Sequence, residues 1–264
     1  MLTSRRAPRV VRARSLHSRK GRRSEQAFLV EGPILVAEAL AAGLCLEELF
    51  IGPDATVVHR EVVSMAGDSG VPTIPVSPDV LGAIAEAQTP QAMVAVARAV
   101  PPRTVAEITS GADMVVGLDR VADPGNLGSI VRTAEAAGAQ GVLLLGSCAD
   151  AWSPKAVRAS AGAAFRVPVA LGDDGDVTTA ARSGTLTIVA TAAEGGEPPW
   201  AVVEQATGGL LWLFGSESHG LDPALARAAH TVAAIPMAGS VESLNLAASV
   251  AVCLFSQSRA RMTD

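Results

Sequence analysis

"VADPGNLGSIVRTAEAAGAQGVLLLG", residues 121–146, runs from a proline- and glycine-containing turn into a helix and out into an apolar strand. The helix reads from Leu127 to Ala137. Leu127, Ile130, Val131, Ala134 and Ala137 fall on one side of it at about 100° per residue, and Gly138 supplies the stop. The apolar strand "MVVGLD" (114–119) precedes the stretch and "GVLLLG" (141–146) ends it. A strand, a helix and a second buried strand in this order make a parallel crossover unit.

The same alternation extends in both directions. Downstream, strands are expected at 166–171, 185–191, 209–215 and 231–237, with helices at 154–163 and 223–229 and a long apolar helix at 244–257. Strands this apolar imply a mostly parallel sheet covered on both faces. Upstream, "FLVEGPILVAEALAAG" (28–43) reads as a strand end followed by a helix closed by Gly43, and helices at 59–70 and 78–87 are interleaved with strands at 46–52, 71–77 and 91–100. Ser77 is a plausible cap there, and Pro78 suits the first helical position. "PPRTVAEITSGAD" (101–113) has the composition of a linker. The expected division is a basic arm at 1–23, a small α/β domain at 24–100, the linker at 101–113 and a larger α/β domain at 114–264.

Composition narrows the function. With 49% hydrophobic residues and a mean hydropathy of +0.34, a core is easily supplied, and no apolar run reaches the roughly 18 residues of a membrane span, so a soluble protein is expected. Cys45, Cys148 and Cys253 lie far apart without metal-type spacing. Neither a disulfide framework nor a metal site is expected, and a reducing cytoplasm is the natural location. Residues 1–23 carry nine of the 21 Lys/Arg and no acid, which leaves twelve cations against all 26 Asp/Glu in the rest. A basic arm on an acidic body points to a polyanion such as RNA. A solvated tail or an organelle transit peptide would have the same composition. Aromatics make up only 3% of the chain, so base stacking has a small part in any such binding.

Ligands of open α/β sheets bind beyond the carboxyl ends of the strands. Three strand ends lead into glycine-containing polar loops: "RVADPGNLGS" after 119, "GSESHG" after 214 and "AGSVESLN" after 237. Asn126 stands where a helix N-cap belongs, which alone would account for it. Arg132 lies opposite the apolar stripe and would pair with Glu135 if it had only a surface role. Glu217 and His219 occupy a turn. Ser243 is a plausible cap of the last helix, while Asn245 sits among apolar neighbours where burial would demand partners. "GNLGS" lacks the spacing of a dinucleotide or nucleoside triphosphate loop.

Together these stretches resemble the SpoU/TrmH class of RNA ribose 2′-O-methyltransferases of the SPOUT superfamily. The three family motifs are matched, in order, by "DPGNLGSIVRTAEAAG" (123–138), "LFGSESHGL" (213–221) and "IPMAGSVESLNLAASVAV" (235–252). "RKGRRSEQAFLVEGPILVAEAL" (19–40) is similar to the start of the family's amino-terminal substrate-binding domain, a small α/β module like some ribosomal proteins. The resemblance implies a mostly parallel-sheet SPOUT domain with a carboxyl-terminal trefoil knot, and a homodimer. It implies methyl transfer from S-adenosylmethionine to a ribose 2′-hydroxyl, with rRNA favoured over tRNA and no metal. A catalytically silent RNA-binding assembly protein is the alternative from another class.

The residues carried over by the resemblance are Asn126, Arg132, Glu217, Ser243 and Asn245 as the catalytic set. Thr191, Leu213, Gly215, Ile235, Met237 and Leu244 would form the cofactor pocket. Arg19, Lys20, Arg22, Arg23 and Arg132 would meet RNA. The family's usual assignment of a general base would fall on Arg132, but a guanidinium keeps its proton at neutral pH. Orienting the hydroxyl and a neighbouring phosphate suits it better.

Overall fold

Alternating side chains along the amino-terminal strands sort the first unit into layers. In the computed structural model, which describes residues 1–53, 55–87 and 89–262, the chain divides into two units. The first comprises Met1–Pro101 and Asp150–Phe165. Its strands are β1 (Ala27–Glu31), β2 (Leu46–Ile51), β3 (Thr73–Pro75) and β4 (Met93–Arg98), in the order β1-β4-β2-β3. The β1/β4 and β4/β2 pairs are antiparallel and β2/β3 is parallel. Phe28, Val30, Leu49, Ile51, Met93 and Ala95 face one core, while Leu29, Phe50, Val94 and Val96 face the other. Both faces of the sheet are therefore covered, as the period of two requires.

The basic start is folded rather than free. Helices Pro8–Ser15 and Arg19–Glu25 occupy it, and Val10, Ala13 and Leu16 are fully buried against the sheet. Ser18 caps the second helix by accepting from Gly21 N at 3.0 Å. Position 21 must be glycine, because a Cβ there would lie 1.9 Å from the Ser15 carbonyl oxygen. Arg12 bonds to Glu25 and Glu47, and Arg5 and Arg9 pair with Asp79 and Glu48. Much of the charge asymmetry seen in the sequence is thus balanced inside this unit.

Residues 150–165 bring a helix, Pro154–Ser160, into the first unit. Val157 and Phe165 join the Phe28 core, and the Trp152 ring sits 4.7 Å from that of Phe28. Asp150 accepts from Arg22 Nη2 at 2.7 Å and Nε at 3.0 Å, while Arg22 Nη1 donates to the carbonyls of Leu16 and His17. Arg158 pairs with Glu31 and Glu86.

The second unit, Pro102–Ala149 with Arg166–Asp264, holds six parallel strands. They are β5 (Met114–Asp119), β6 (Gly141–Leu145), β7 (Val169–Gly172), β8 (Leu186–Ala192), β9 (Gly209–Phe214) and β10 (Thr231–Ala234), in the order β10-β8-β9-β5-β6-β7. The last helix, Leu246–Met262, packs on helix Pro124–Ala137. It is pinned by a buried polar bridge in which Trp212 Nε1 donates to Gln257 Oε1 at 2.8 Å and Gln257 Nε2 donates to the Asp113 carbonyl at 2.7 Å.

Several expectations are corrected at the helix ends. The crossover helix begins at Pro124, and its cap is Asp123, which accepts from Asn126 N at 2.8 Å. Asn126 is therefore freed from capping. Ser243 does not cap the last helix: Asn245 does, through Oδ1 to Ala247 N at 2.9 Å, and it is exposed rather than buried. The segment read as a linker contains helix Val105–Thr109, closed by a Thr104/Glu107 capping box. Helices Asp174–Ser183 and Pro199–Gln205 were not expected.

Arg22 is 7% exposed. Removing one partner of a buried pair leaves the other charge unsatisfied, at a cost of about 3–5 kcal/mol. Asp150→Ala is accordingly expected to lower stability by about that amount in urea unfolding followed by tryptophan fluorescence. An unchanged midpoint would remove the pair from any structural role.

Candidate active site

Three strand ends of the second unit and the start of the last helix surround one cavity of about 400 Å³. Thr191 and Ala192 from β8, Phe214 at the end of β9, Ala233 of β10 and the residues that follow each strand supply the wall. Gly215, Glu217, Ile235, Met237, Ser243 and Leu244 all line it. The volume falls within the roughly 300–1,000 Å³ of small-molecule pockets. The wall is largely apolar, with backbone and hydroxyl groups interspersed, which suits a flat heterocycle carrying a polar chain.

Expected site residues fall into three groups. Seven line the cavity: Thr191, Gly215, Glu217, Ile235, Met237, Ser243 and Leu244. Two support it from behind or beside. Leu213 is fully buried, and its carbonyl accepts from Thr191 Oγ1 at 2.8 Å. Asn126 donates through Nδ2 to Glu217 Oε1, tying the loop after β5 to the loop after β9. Arg132 and Asn245 are not on the cavity wall, and Asn245 is occupied as a cap.

Arg132 is exposed and its side chain makes no hydrogen bond or ion pair among the described residues. Glu135, the partner a surface role would give it, is paired with Arg166 instead. An exposed arginine with no protein acceptor is available to an external anion. In the first unit, Arg19, Lys20 and Arg23 are exposed and their side chains make no ion pair among the described residues. Arg22 departs from the expectation for it: its guanidinium is turned inward onto Asp150, Leu16 and His17, because that pocket offers three oxygen partners.

Gly215 is required for a reason the sequence did not supply. Residues 216–220 fold back in a tight loop, closed by Gly220 N donating to the Ser216 carbonyl at 2.9 Å. A Cβ at 215 would lie 2.0 Å from the Gly220 carbonyl carbon. The close approach is thus made by the protein's own backbone.

Two features were missed in the sequence. Asp119, at the end of β5, is 2% exposed, and its Oδ2 accepts from Asp222 N at 2.8 Å and from Arg120 Nη2 at 3.0 Å. It anchors the far end of the Glu217 loop just as Asn126 holds its start. An acid closing an apolar strand marks the position, but its partner Asp222 comes from another loop. Glu242 lines the cavity beside Ser243; as one acid in a polar loop it carried no signal.

Cys253 also lines the cavity, and burial pushes its thiol up to about 12. Burial likewise raises Cys148, whereas Cys45 is exposed. Since the thiolate is the reactive form, alkylation of the native chain at mildly alkaline pH is expected at Cys45 alone. Mass spectrometry after iodoacetamide treatment checks this; fast labelling of Cys253 would contradict the packing described.

Residues 113–255 match the model of the SpoU rRNA Methylase family, and residues 7–95 match that of the MRM3-like substrate binding domain. The chain is 31% identical to the 23S rRNA (guanosine(2553)-2′-O)-methyltransferase RlmP of Bacillus subtilis, over 92% of each chain. Among solved structures, the AdoMet-bound rRNA methyltransferase from Sinorhizobium meliloti superposes with a TM-score of 0.86 at 33% identity, over 98% of this chain and 97% of that one. The SpoU methyltransferase AviRb from Streptomyces viridochromogenes superposes with a TM-score of 0.84 at 30% identity, over 97% of this chain and 98% of that one. With the family model covering more than half of its length, the chain belongs to the SpoU rRNA methylase family.

Proposed function

We propose that this protein transfers a methyl group from S-adenosylmethionine to a ribose 2′-hydroxyl of 23S rRNA. The observation that carries the proposal is the Asn126–Glu217 bond at the edge of the cavity, which joins two of the three motif loops beside a pocket of cofactor size. The RlmP relative and the AdoMet-bound neighbour agree with that reading.

The bound cofactor supplies an activated methyl on a sulfonium. The protein then has to align the attacking oxygen and ease its proton away. Phe214, Ile235, Leu244 and Leu246 would enclose the apolar parts of the cofactor, with Gly215 and Met237 offering backbone groups. Asn126, held by Glu217, would place the ribose. Arg132, lacking a protein partner, would take the phosphate next to that ribose and so orient the hydroxyl. Arg19, Lys20 and Arg23 would add sequence-independent contacts to the RNA backbone. Ser243 would shape the substrate side from the wall, and Asn245 would act through the helix it caps.

The assembly and topology belong to the same reading. Val241, Leu244 and Phe255 leave apolar surface exposed at 60%, 38% and 47% on the last loop and helix, which supports a homodimer built on that face. The chain leaves β10 at the sheet edge and its last helix packs on helix Pro124–Ala137, which supports the trefoil passage that the resemblance implies. Three free cysteines suit the cytoplasm.

Transfer of labelled methyl to deproteinised 23S rRNA and to tRNA tests the assignment. Label is expected on 23S rRNA alone, and Arg132→Ala should abolish it while cofactor binding is kept. Label confined to tRNA would overturn the substrate assignment. Replacing Arg19, Lys20 and Arg23 together by alanine should flatten the dependence of log affinity on log salt by about 2–3, because each phosphate contact contributes about 0.7–0.9. An unchanged slope would take these three out of the RNA interface.

A further inference from the structure

Glu217 and Glu242 are the charged side chains that line the cavity, and no lysine, arginine or histidine lines it with them among the described residues. The two are not equivalent. Glu217 accepts from Asn126, and that bond ties its carboxylate to the loop after β5. Glu242 is exposed, and its side chain makes no hydrogen bond or ion pair among the described residues. Much of the remaining wall is apolar, including Phe214, Ile235, Leu244 and Leu246. A carboxylate beside such a wall acts on an occupant with less screening than bulk water would give.

We propose that Glu242 is a specificity-determining residue that makes the cavity prefer a cationic occupant over a neutral one of nearly the same shape. The assignment rests on the cofactor reading above. S-adenosylmethionine carries a sulfonium, an ammonium and a carboxylate, for a net charge of about +1 at neutral pH. When the methyl passes to the ribose oxygen, the carbon–sulfur bond pair stays on sulfur and the hydroxyl proton passes to solvent. S-adenosylhomocysteine, the thioether product, is then net neutral. Donor and product differ by one methyl, so contact area separates them only weakly. The difference in charge is the larger handle, and Glu242 is the group on this wall free to read it. Product would consequently leave more readily than donor.

The test is calorimetric binding of S-adenosylmethionine and S-adenosylhomocysteine to the full-length wild type, Glu242→Gln and Glu242→Asp, at low and high salt. Glu242→Gln is expected to shrink the preference for donor over product by about 3–10-fold, the scale of one charge pair at a partly solvated site. Product affinity should stay within about twofold, since the neutral ligand gains little from a single charge. Glu242→Asp should restore most of the preference. In the wild type, added salt should narrow it, a measurement that needs no variant to fold. Equal weakening of both ligands, or a preference that Glu242→Gln leaves unaltered whatever the salt does, overturns the assignment while leaving the cofactor reading standing. Failure of the wild type to bind either ligand overturns both.

Discussion

The placement of β9 between β5 and β8, parallel to both, governs what the second unit can do. Parallel strands release their chains at one edge of the sheet. With β9 held in that position, the Glu217 loop must emerge beside the Asn126 loop on one side and beside Thr191 on the other. The hydrogen bond from Asn126 to Glu217 and the anchoring of Asp222 by Asp119 complete a geometry that the sheet order has already largely determined. Were β9 to exchange places with β8, it would no longer neighbour β5, and Asn126 and Glu217 would not meet.

Most of this fold was legible because the signals were local. Apolar strands such as "GVLLLG" and "GLLWLF" have no plausible setting except a sheet covered on both faces, and each expected strand of the second unit is present. Other elements hid for definable reasons. Helix Asp174–Ser183 is written in Asp, Gly and Thr, residues of weak helix propensity, and is held instead by its Asp173/Asp176 capping box and by burial of Val177 and Ala180. The amino-terminal helices hid behind their charge. A run of arginines reads as an arm until the acids that neutralise it, Glu47, Asp79 and Asp150, are brought in from distant parts of the chain.

The site was less legible than the fold. Motif resemblance pointed to Asn126 and Glu217, but periodicity could not show that Asp123 takes over capping and leaves the Asn126 amide free to reach the other loop. Arg132 was ambiguous because Glu135 lies one turn away on the same helix. Only the position of Arg166, brought in from beyond the 150–165 excursion, removes that partner. Asp119 and Glu242 were missed because their meaning depends on neighbours from other loops, which no local pattern encodes.

The dependence of the first unit on residues 150–165 bears on how the protein is made. Synthesis delivers the amino-terminal sheet early, yet part of its core and the partner of Arg22 arrive only after residues 102–149, which belong to the other unit, have been translated. The usual order, in which an amino-terminal domain completes itself before the next emerges, is therefore closed to this chain. Until Phe165 clears the ribosome, the Phe28 core lacks Val157 and Phe165, and the Arg22 guanidinium lacks Asp150. The two units must mature in an overlapping sequence, with β5 and β6 already extruded while the first unit still waits for its last helix.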